Sequence, residues 1–290
     1  MNRWKQCLLS GYYHATWPAR VCYAHALAAR GRAPAMVLFY HRVADDAASP
    51  WTCSNSTFKR QIDWLADRFE MVSLAEAQRR IRSGENQRTC VTITFDDGYA
   101  ANCDFALPLL VERKIPCTYF VSSRIIFDGR PFPHDVAAGR PLAVNTPRQI
   151  VELARAGIEI GAHTRTHADL GRITDRMTLA NEMLGSRDDL ESLIGGAVPY
   201  FAFPFGQFAN LSGVAFEMAR DAGFAGVCSA YGGYNFPGDD PFHLQRIHVD
   251  DDLVRLQNWT TLDPRKLLAT RRYTPDAIES EAELPQGAAL

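Results

Sequence analysis

Two adjacent carboxylates, Asp96 and Asp97, stand directly after the apolar run Val91–Phe95. Side by side at the end of a buried strand they repel each other and are costly to desolvate unless a cation neutralises them. Asp97-Gly98 is also a common turn pair, so on its own this segment reads equally as a turn. A second segment, His163-Thr164-Arg165-Thr166-His167, follows the strand-like Ile158–Ala162. Histidines four apart on a helical turn face one side and reach one cation. Such a pair alone is often a surface feature. Joined to a carboxylate from another strand end, it becomes a two-histidine, one-carboxylate set with positions left open for water. A third segment, Phe201-Ala202-Phe203-Pro204-Phe205-Gly206-Gln207, reads by itself as a core strand leaving through a Pro-Gly turn.

The elements that must carry these groups alternate between the two periodicities. Met36–Tyr40, Val91–Phe95, Cys117–Val121, Ile158–Ala162, Phe201–Phe203, Gly226–Cys228 and Leu244–Val249 are strand candidates. Between them, Thr57–Phe69 places Phe58, Ile62, Leu65 and Phe69 at helical spacing. Ser73 and Glu76 form a capping-box pair opening a helix over Leu74–Arg82. Ala101–Arg113 reads as a helix bent near Pro108, and Thr146-Pro147 caps a helix that Gly157 ends. Thr178–Ile194 turns Leu179, Met183, Leu190 and Leu193 inward. Repeated strand-then-helix units imply an α/β fold with a parallel sheet, doubly wound or closed. About seven strands over roughly 230 residues favour closure into a barrel within a single main domain, functional groups gathering at the strands' C-terminal ends.

Composition narrows the function classes. The chain has 290 residues, and its 31 Lys plus Arg against 33 Asp plus Glu give a net charge of −2. That balance argues against a nucleic-acid partner, and no apolar run approaches the roughly 18 residues of a membrane span. The seven cysteines include no CxxC pair, several lie in apolar runs, and a reducing compartment fits them better than a disulfide framework. Residues 1–33 form a separate segment with Arg3, Lys5, Arg20, Arg30 and Arg32 interleaved with Trp4, Tyr12, Tyr13, Trp17 and Tyr23, and no acidic residue precedes Asp45. The pattern suits either peripheral contact with a membrane interface or a helix packed on the main domain. A secretory signal fits poorly, because the best apolar stretch, Val21–Ala29, contains His25 and follows Pro18. The expected location is cytoplasmic or peripheral at the inner membrane. Residues 34–262 form the main domain, and 263–290 read as a partly disordered, solvated tail.

In their order and separation, the strand-Asp-Asp-Gly, His-Thr-x-x-His and Phe-Pro-Phe-Gly segments resemble the polysaccharide deacetylase (NodB-homology) family over about residues 34–262. With Leu38-Phe39-Tyr40-His41-Arg42-Val43 opening the pattern, the chain is most similar to bacterial poly-N-acetylglucosamine and exopolysaccharide deacetylases. The resemblance implies a distorted (β/α) barrel with a glycan groove. It implies that Asp97, His163 and His167 bind a divalent metal, zinc first, with nickel, cobalt, iron or manganese also compatible. Asp96 would be the general base, and the Phe205 N–H, set by Pro204, would hold the oxyanion. Many members carry an arginine two residues before the motif's proline; Ala202 stands there, and Arg246 is the candidate substitute for orienting the base, against a purely structural ion pair. For the general acid the resemblance points to His41, with His248 as the rival. The implied reaction removes the N-acetyl group of an amino sugar in a cell-envelope or exported glycan, releasing acetate. The alternatives are an amidohydrolase acting on a non-sugar amide, and an inactive glycan-binding protein. His134 reads either as a surface histidine or as one lining the groove, Trp51 and Trp259 either as packing residues or as faces for a sugar ring, and His14, His25 and His243 have no assigned role.

Overall fold

The apolar runs become the staves of one parallel sheet in the computed structural model, which describes residues 3–269 and 272–274. Helix α1 (Arg3–Ala29) leads into β1 (Ala35–Tyr40), and β2 (Arg42–Val43) and β3 (Thr52–Cys53) pair as a small separate ribbon. There follow α2 (Asn55–Arg68), β4 (Glu70–Met71), α3 (Leu74–Arg82), β5 (Cys90–Phe95), α4 (Ala106–Glu112), β6 (Cys117–Val121), α5 (Ser123–Asp128) and α6 (Pro133–Ala137). The second half contains α7 (Pro147–Arg155), β7 (Glu159–Ala162), α8 (Arg176–Ile194), β8 (Tyr200–Ala202), α9 (Gly213–Asp221), β9 (Gly226–Cys228), β10 (His243–Leu244), β11 (Arg246–His248), α10 (Leu253–Thr260) and α11 (Pro264–Ala269). Strands run in the order β10-β9-β8-β7-β6-β5-β1-β11, all parallel, with β4 added beside β5. Each of β1, β5 and β6 is buried along its whole length, as a sheet covered on both faces requires.

β10 and β11 lie at opposite ends of that order, yet only Gln245 separates them. One stretch of chain therefore nearly closes the sheet into a barrel. The single strand expected over Leu244–Val249 is instead split. Asn235 takes both backbone groups of Gln245, its Oδ1 accepting the N–H at 2.8 Å and its Nδ2 donating to the carbonyl at 2.9 Å. The helix expected over Ala101–Arg113 is also divided, into a 3-10 turn at Ala100–Cys103 and α4. The break falls at Phe105, and Pro108 sits in the first turn of α4, where a missing N–H costs no intrahelical bond. Ser73 caps α3, but Glu76 does not close the box; its carboxylate pairs with Arg79 and Arg80. Thr146 and Gln149 form a full capping box, and Leu193 of α8 is only half-buried.

α1 lies along α10 rather than standing apart. Arg20 is buried and donates to the Asn258 carbonyl and Oδ1, each at 2.9 Å, and to Thr261 Oγ1 at 3.0 Å. Trp4, Leu8, Trp17 and Tyr23 of α1 remain exposed. Among the described residues no helix is long and apolar enough to cross a membrane. Of the tail expected from residue 263, Pro264–Ala269 is helical; most of the remainder lies outside the described residues.

Candidate active site

Strand register alone assembles one rim. Tyr40 pairs with Phe95 and Phe95 with Tyr119, while Val121 pairs with Ala162, Ala162 with Phe201 and Phe39 with His248. The residues just beyond these strand ends, among them His41, Asp96 and His163, therefore emerge at the same end of the barrel, where α/β folds place their sites. They line a cavity of about 420 Å³ together with Asp97, His167, Phe205 and His248.

Asp97, His163 and His167 each offer one ligand atom within 4.8 Å of the others. Asp97 Oδ1 lies 3.2 Å from His167 Nε2 and 3.6 Å from His163 Nε2. The His163 Nδ1–H donates to the Ala202 carbonyl at 2.8 Å, which leaves the Nε2 lone pair facing the cluster. Burial alone would raise the Asp97 carboxyl, but the two imidazoles hold it well below the usual carboxylate range. Even so, Asp97 Oδ1 is buried without a hydrogen-bond partner. An orphaned anionic oxygen facing two imidazoles is the donor set a divalent cation satisfies, so the residues fit the implied ion.

The histidines do not converge through a helical turn, as their spacing suggested. Thr164 and His167 both adopt left-handed backbone, with φ of 61°. Glu182 of α8 clamps the loop, accepting from Thr166 N and Oγ1 at 2.9 Å each. Arg165 is forked onto Asp189 of the same helix at 2.8 and 2.9 Å. Asp97 (φ 76°) and Phe205 (φ 60°) share the left-handed conformation. Four such non-glycine residues around one cavity are backbone strain gathered where groups must be aimed.

Asp96 faces inward and is clamped by Arg246, with Nη1 2.6 Å from Oδ1 and Nη2 2.8 Å from Oδ2. Arg246 reaches there from β11, fully buried between the Phe39 and Phe120 rings, and donates from Nε to the Ser229 carbonyl at 3.0 Å. Pro204 and Gly206 bracket the Phe205 turn, closed by a Gly206 N–H to Pro204 carbonyl contact of 2.6 Å. The Phe205 N–H has no intramolecular acceptor among the described residues.

His41 and His248 are neighbours, ring centres 5.6 Å apart, and both touch the Trp51 ring at 4.8 and 5.1 Å. Burial lowers the His41 pKa, opposed by Asp97 and Asp96. Burial and then the His41 charge drive His248 to about 3. Trp51 packs on both histidines while remaining 53% exposed at the cavity mouth. His134, exposed at the surface, also lines the cavity, 3.2 Å from Tyr99 Oη and stacked on Phe132. His243 is away from the cavity, bonded to Ser229 Oγ at 2.8 Å.

Comparison with known proteins matches this architecture. A family model described as polysaccharide deacetylase covers residues 83–227. Among solved structures, IcaB from Ammonifex degensii superposes with a TM-score of 0.64 at 26% identity, over 79% of this chain and 97% of that one. The Streptococcus pyogenes deacetylase PplD shares the fold, with a TM-score of 0.64 at 19% identity over 80% and 99% of the two chains. A curated Bacillus subtilis (strain 168) relative, "Putative polysaccharide deacetylase YxkH", is 25% identical over 174 residues. That match spans 59% of this chain and 57% of the relative's length.

Proposed function

The chain belongs to the polysaccharide deacetylase family, and from that premise we propose that it is a divalent-metal-dependent N-deacetylase of an amino sugar in a cell-envelope or exported glycan. One observation carries the reading: Asp97, His163 and His167 converge around an unpartnered buried oxygen, with Asp96 beside them.

In this reading Asp97, His163 and His167 hold the ion, zinc first, with nickel, cobalt, iron or manganese compatible with the same donors. When bound, it supplies Lewis acidity and an acidified water at neutral pH. Asp96, oriented by Arg246 through both its oxygens, takes the proton of the attacking water. The water oxygen bonds to the acetyl carbon, and the Phe205 N–H donates to the oxyanion that develops. His41 gives its proton to the amide nitrogen as the C–N bond breaks, leaving acetate and a free amine. Burial lowers the pKa of both imidazoles, but Asp97 and Asp96 offset part of that at His41, whereas the His41 charge adds to it at His248, pushed down to about 3, so His41 is the better placed of the two to carry the proton. Trp51, exposed beside both histidines, offers a face for a sugar ring. The exposed aromatics of α1, a helix with no acidic residue, are proposed to make peripheral contact with an anionic membrane surface.

The test is acetate release from N-acetylglucosamine oligomers, compared with small cyclic amides, by metal-loaded protein and by His41→Ala. The reading expects glycan turnover, lost in His41→Ala while metal content is retained. Turnover of the cyclic amides alone would overturn the substrate class, and an active His41→Ala protein would overturn the choice of acid.

A further inference from the structure

Midway along the 19 residues of α8 stands a glycine, Gly185, where a helix interior ordinarily favours alanine. A Cβ built there would stand 2.6 Å from Arg165 Cζ and 2.7 Å from its Nε. The Arg165 guanidinium therefore lies against the bare backbone of α8, at a position with no side chain to hold it off. In the chain, Arg165 falls halfway between the two histidines of the metal set, His163 and His167.

Every polar group of Arg165 is taken up around that contact. Its N–H donates to the Glu182 carbonyl at 3.0 Å, and its carbonyl accepts from the Arg124 N–H at 2.9 Å. Nε and Nη2 fork onto Asp189, and Nη1 reaches Asn181 Oδ1. Asp189 also accepts from Ser123 Oγ at 2.8 Å, so one carboxylate ties the start of α5 to the histidine segment. Ser186 Oγ donates to the Thr164 carbonyl at 3.0 Å. Asn181, Gly185 and Asp189 form one row of α8, and Glu182 and Ser186 the next. The two rows make a polar stripe that meets residues 164–166, while Leu179, Met183 and Leu190 of the same helix are buried in the core.

Folding alone does not ask for this stripe. Alanine at 185 would favour the helix, and apolar side chains along the two rows would bury more hydrophobic surface. The stripe instead over-determines a turn in which Thr164 and His167 both hold a φ of 61°, a conformation that persists only where its surroundings fix it. Losing an outer partner of a metal ligand commonly costs about ten- to a hundredfold in affinity. Resting on the metal reading above, we propose that Arg165 is a positioning residue for the two histidines and that Gly185 is bare in order to seat it. Together they set the affinity of the Asp97, His163 and His167 set for a divalent ion, although neither is a ligand.

The experiment titrates zinc into the metal-free full chain against a chromophoric chelator, and records the Tm of the same metal-free protein. Gly185→Ala should bind zinc at least about tenfold more weakly than wild type. Its metal-free Tm should be unchanged or raised, since alanine favours the helix. Arg165→Met leaves α8 intact and should lose affinity by a similar factor, part of which Arg165→Lys recovers. Gly185→Ala/Arg165→Met should lose little more than Arg165→Met alone, because both changes undo one contact. Wild-type affinity in Gly185→Ala and Arg165→Met, or losses that add in the double variant, would overturn the inference. An affinity loss in Gly185→Ala that comes with a lower metal-free Tm overturns it too, as a purely structural effect. Should Gly185→Ala fail to fold, the affinities of Arg165→Met and Arg165→Lys decide. A wild type that binds zinc but releases no acetate from any glycan overturns the deacetylase reading and leaves this inference to the affinities. A wild type that binds no zinc overturns both.

Discussion

Replacing Arg246 with Gln probes the part of the site on which both stability and chemistry depend. Arg246 is 0% exposed and Asp96 3%, and the two share contacts of 2.6 and 2.8 Å. Arg246→Gln leaves a carboxylate buried with no cation, and removing one partner of such a pair costs about 3–5 kcal/mol. In a chain of this size that corresponds to a fall in Tm on the order of 10 °C. Acetate release should fall with it, because Asp96 loses the fork that aims its oxygens. Asp96→Asn should leave the fold damaged to a similar degree and remove the base itself, costing about 10²–10⁴ in kcat. The double variant Asp96→Asn/Arg246→Gln separates the two roles, since a neutral pair restores most of the stability without restoring activity. The assays are denaturant unfolding and acetate release on the same preparations. An Arg246→Gln protein that loses less than about 1 kcal/mol and retains most of its turnover would refute the reasoning.

Four further outcomes follow from the geometry. His163→Ala and His167→Ala should each lower bound metal in elemental analysis, and saturating metal should raise the wild-type unfolding free energy by about 3 kcal/mol at a hundredfold excess over Kd. His243 is buried neutral, its pKa lowered by burial to about 4, so its contribution to stability is complete above the unfolded value near 6.5 and is lost as pH falls from there towards 4. Wild type should therefore lose about 3 kcal/mol through this group between pH 7.5 and pH 4, and denaturation of His243→Gln should show that slope removed. Gly206→Ala would place a Cβ 2.6 Å from the Ala230 nitrogen at φ +58°, displacing the Phe205 turn; acetate release should drop by about 10²–10³, the loss expected of a missing oxyanion donor. Sedimentation with anionic vesicles should pull down the wild-type protein and release Trp4→Ala/Leu8→Ala/Trp17→Ala, and equal sedimentation of the two would end the membrane proposal.

What the residues made legible was the periodic part and the rim. Strands such as Cys117–Val121 and Gly226–Cys228 were readable because short apolar runs between turn signals leave little choice, and parallel register then places their C-terminal ends together. The Asp97, His163 and His167 set could be named because a carboxylate pair follows one such strand and two histidines follow another, the resemblance then choosing Asp97 over Asp96. What stayed hidden depends on long-range partners. The break at Gln245 is imposed by Asn235, ten residues earlier, and the left-handed turn bearing His167 by Glu182 of a later helix. The sequence position of Arg246 suggested a substitute for a missing arginine, but only the curl of β11 against β1 brings it to Asp96. His134 and Trp51 reach the cavity from irregular loops, where no periodicity announces which way a side chain faces.

The central claim is that three side chains hold a cation with which Asp96 hydrolyses an acetamide. Its most direct measurement is the yield of acetate and of new free amines from a partially acetylated N-acetylglucosamine polymer, before and after chelation. The account predicts equal amounts of the two products, loss of both on chelation and recovery on adding back a divalent ion. Release that persists undiminished in metal-stripped protein, or no acetate from the fully loaded enzyme on any acetylated glycan, would contradict it.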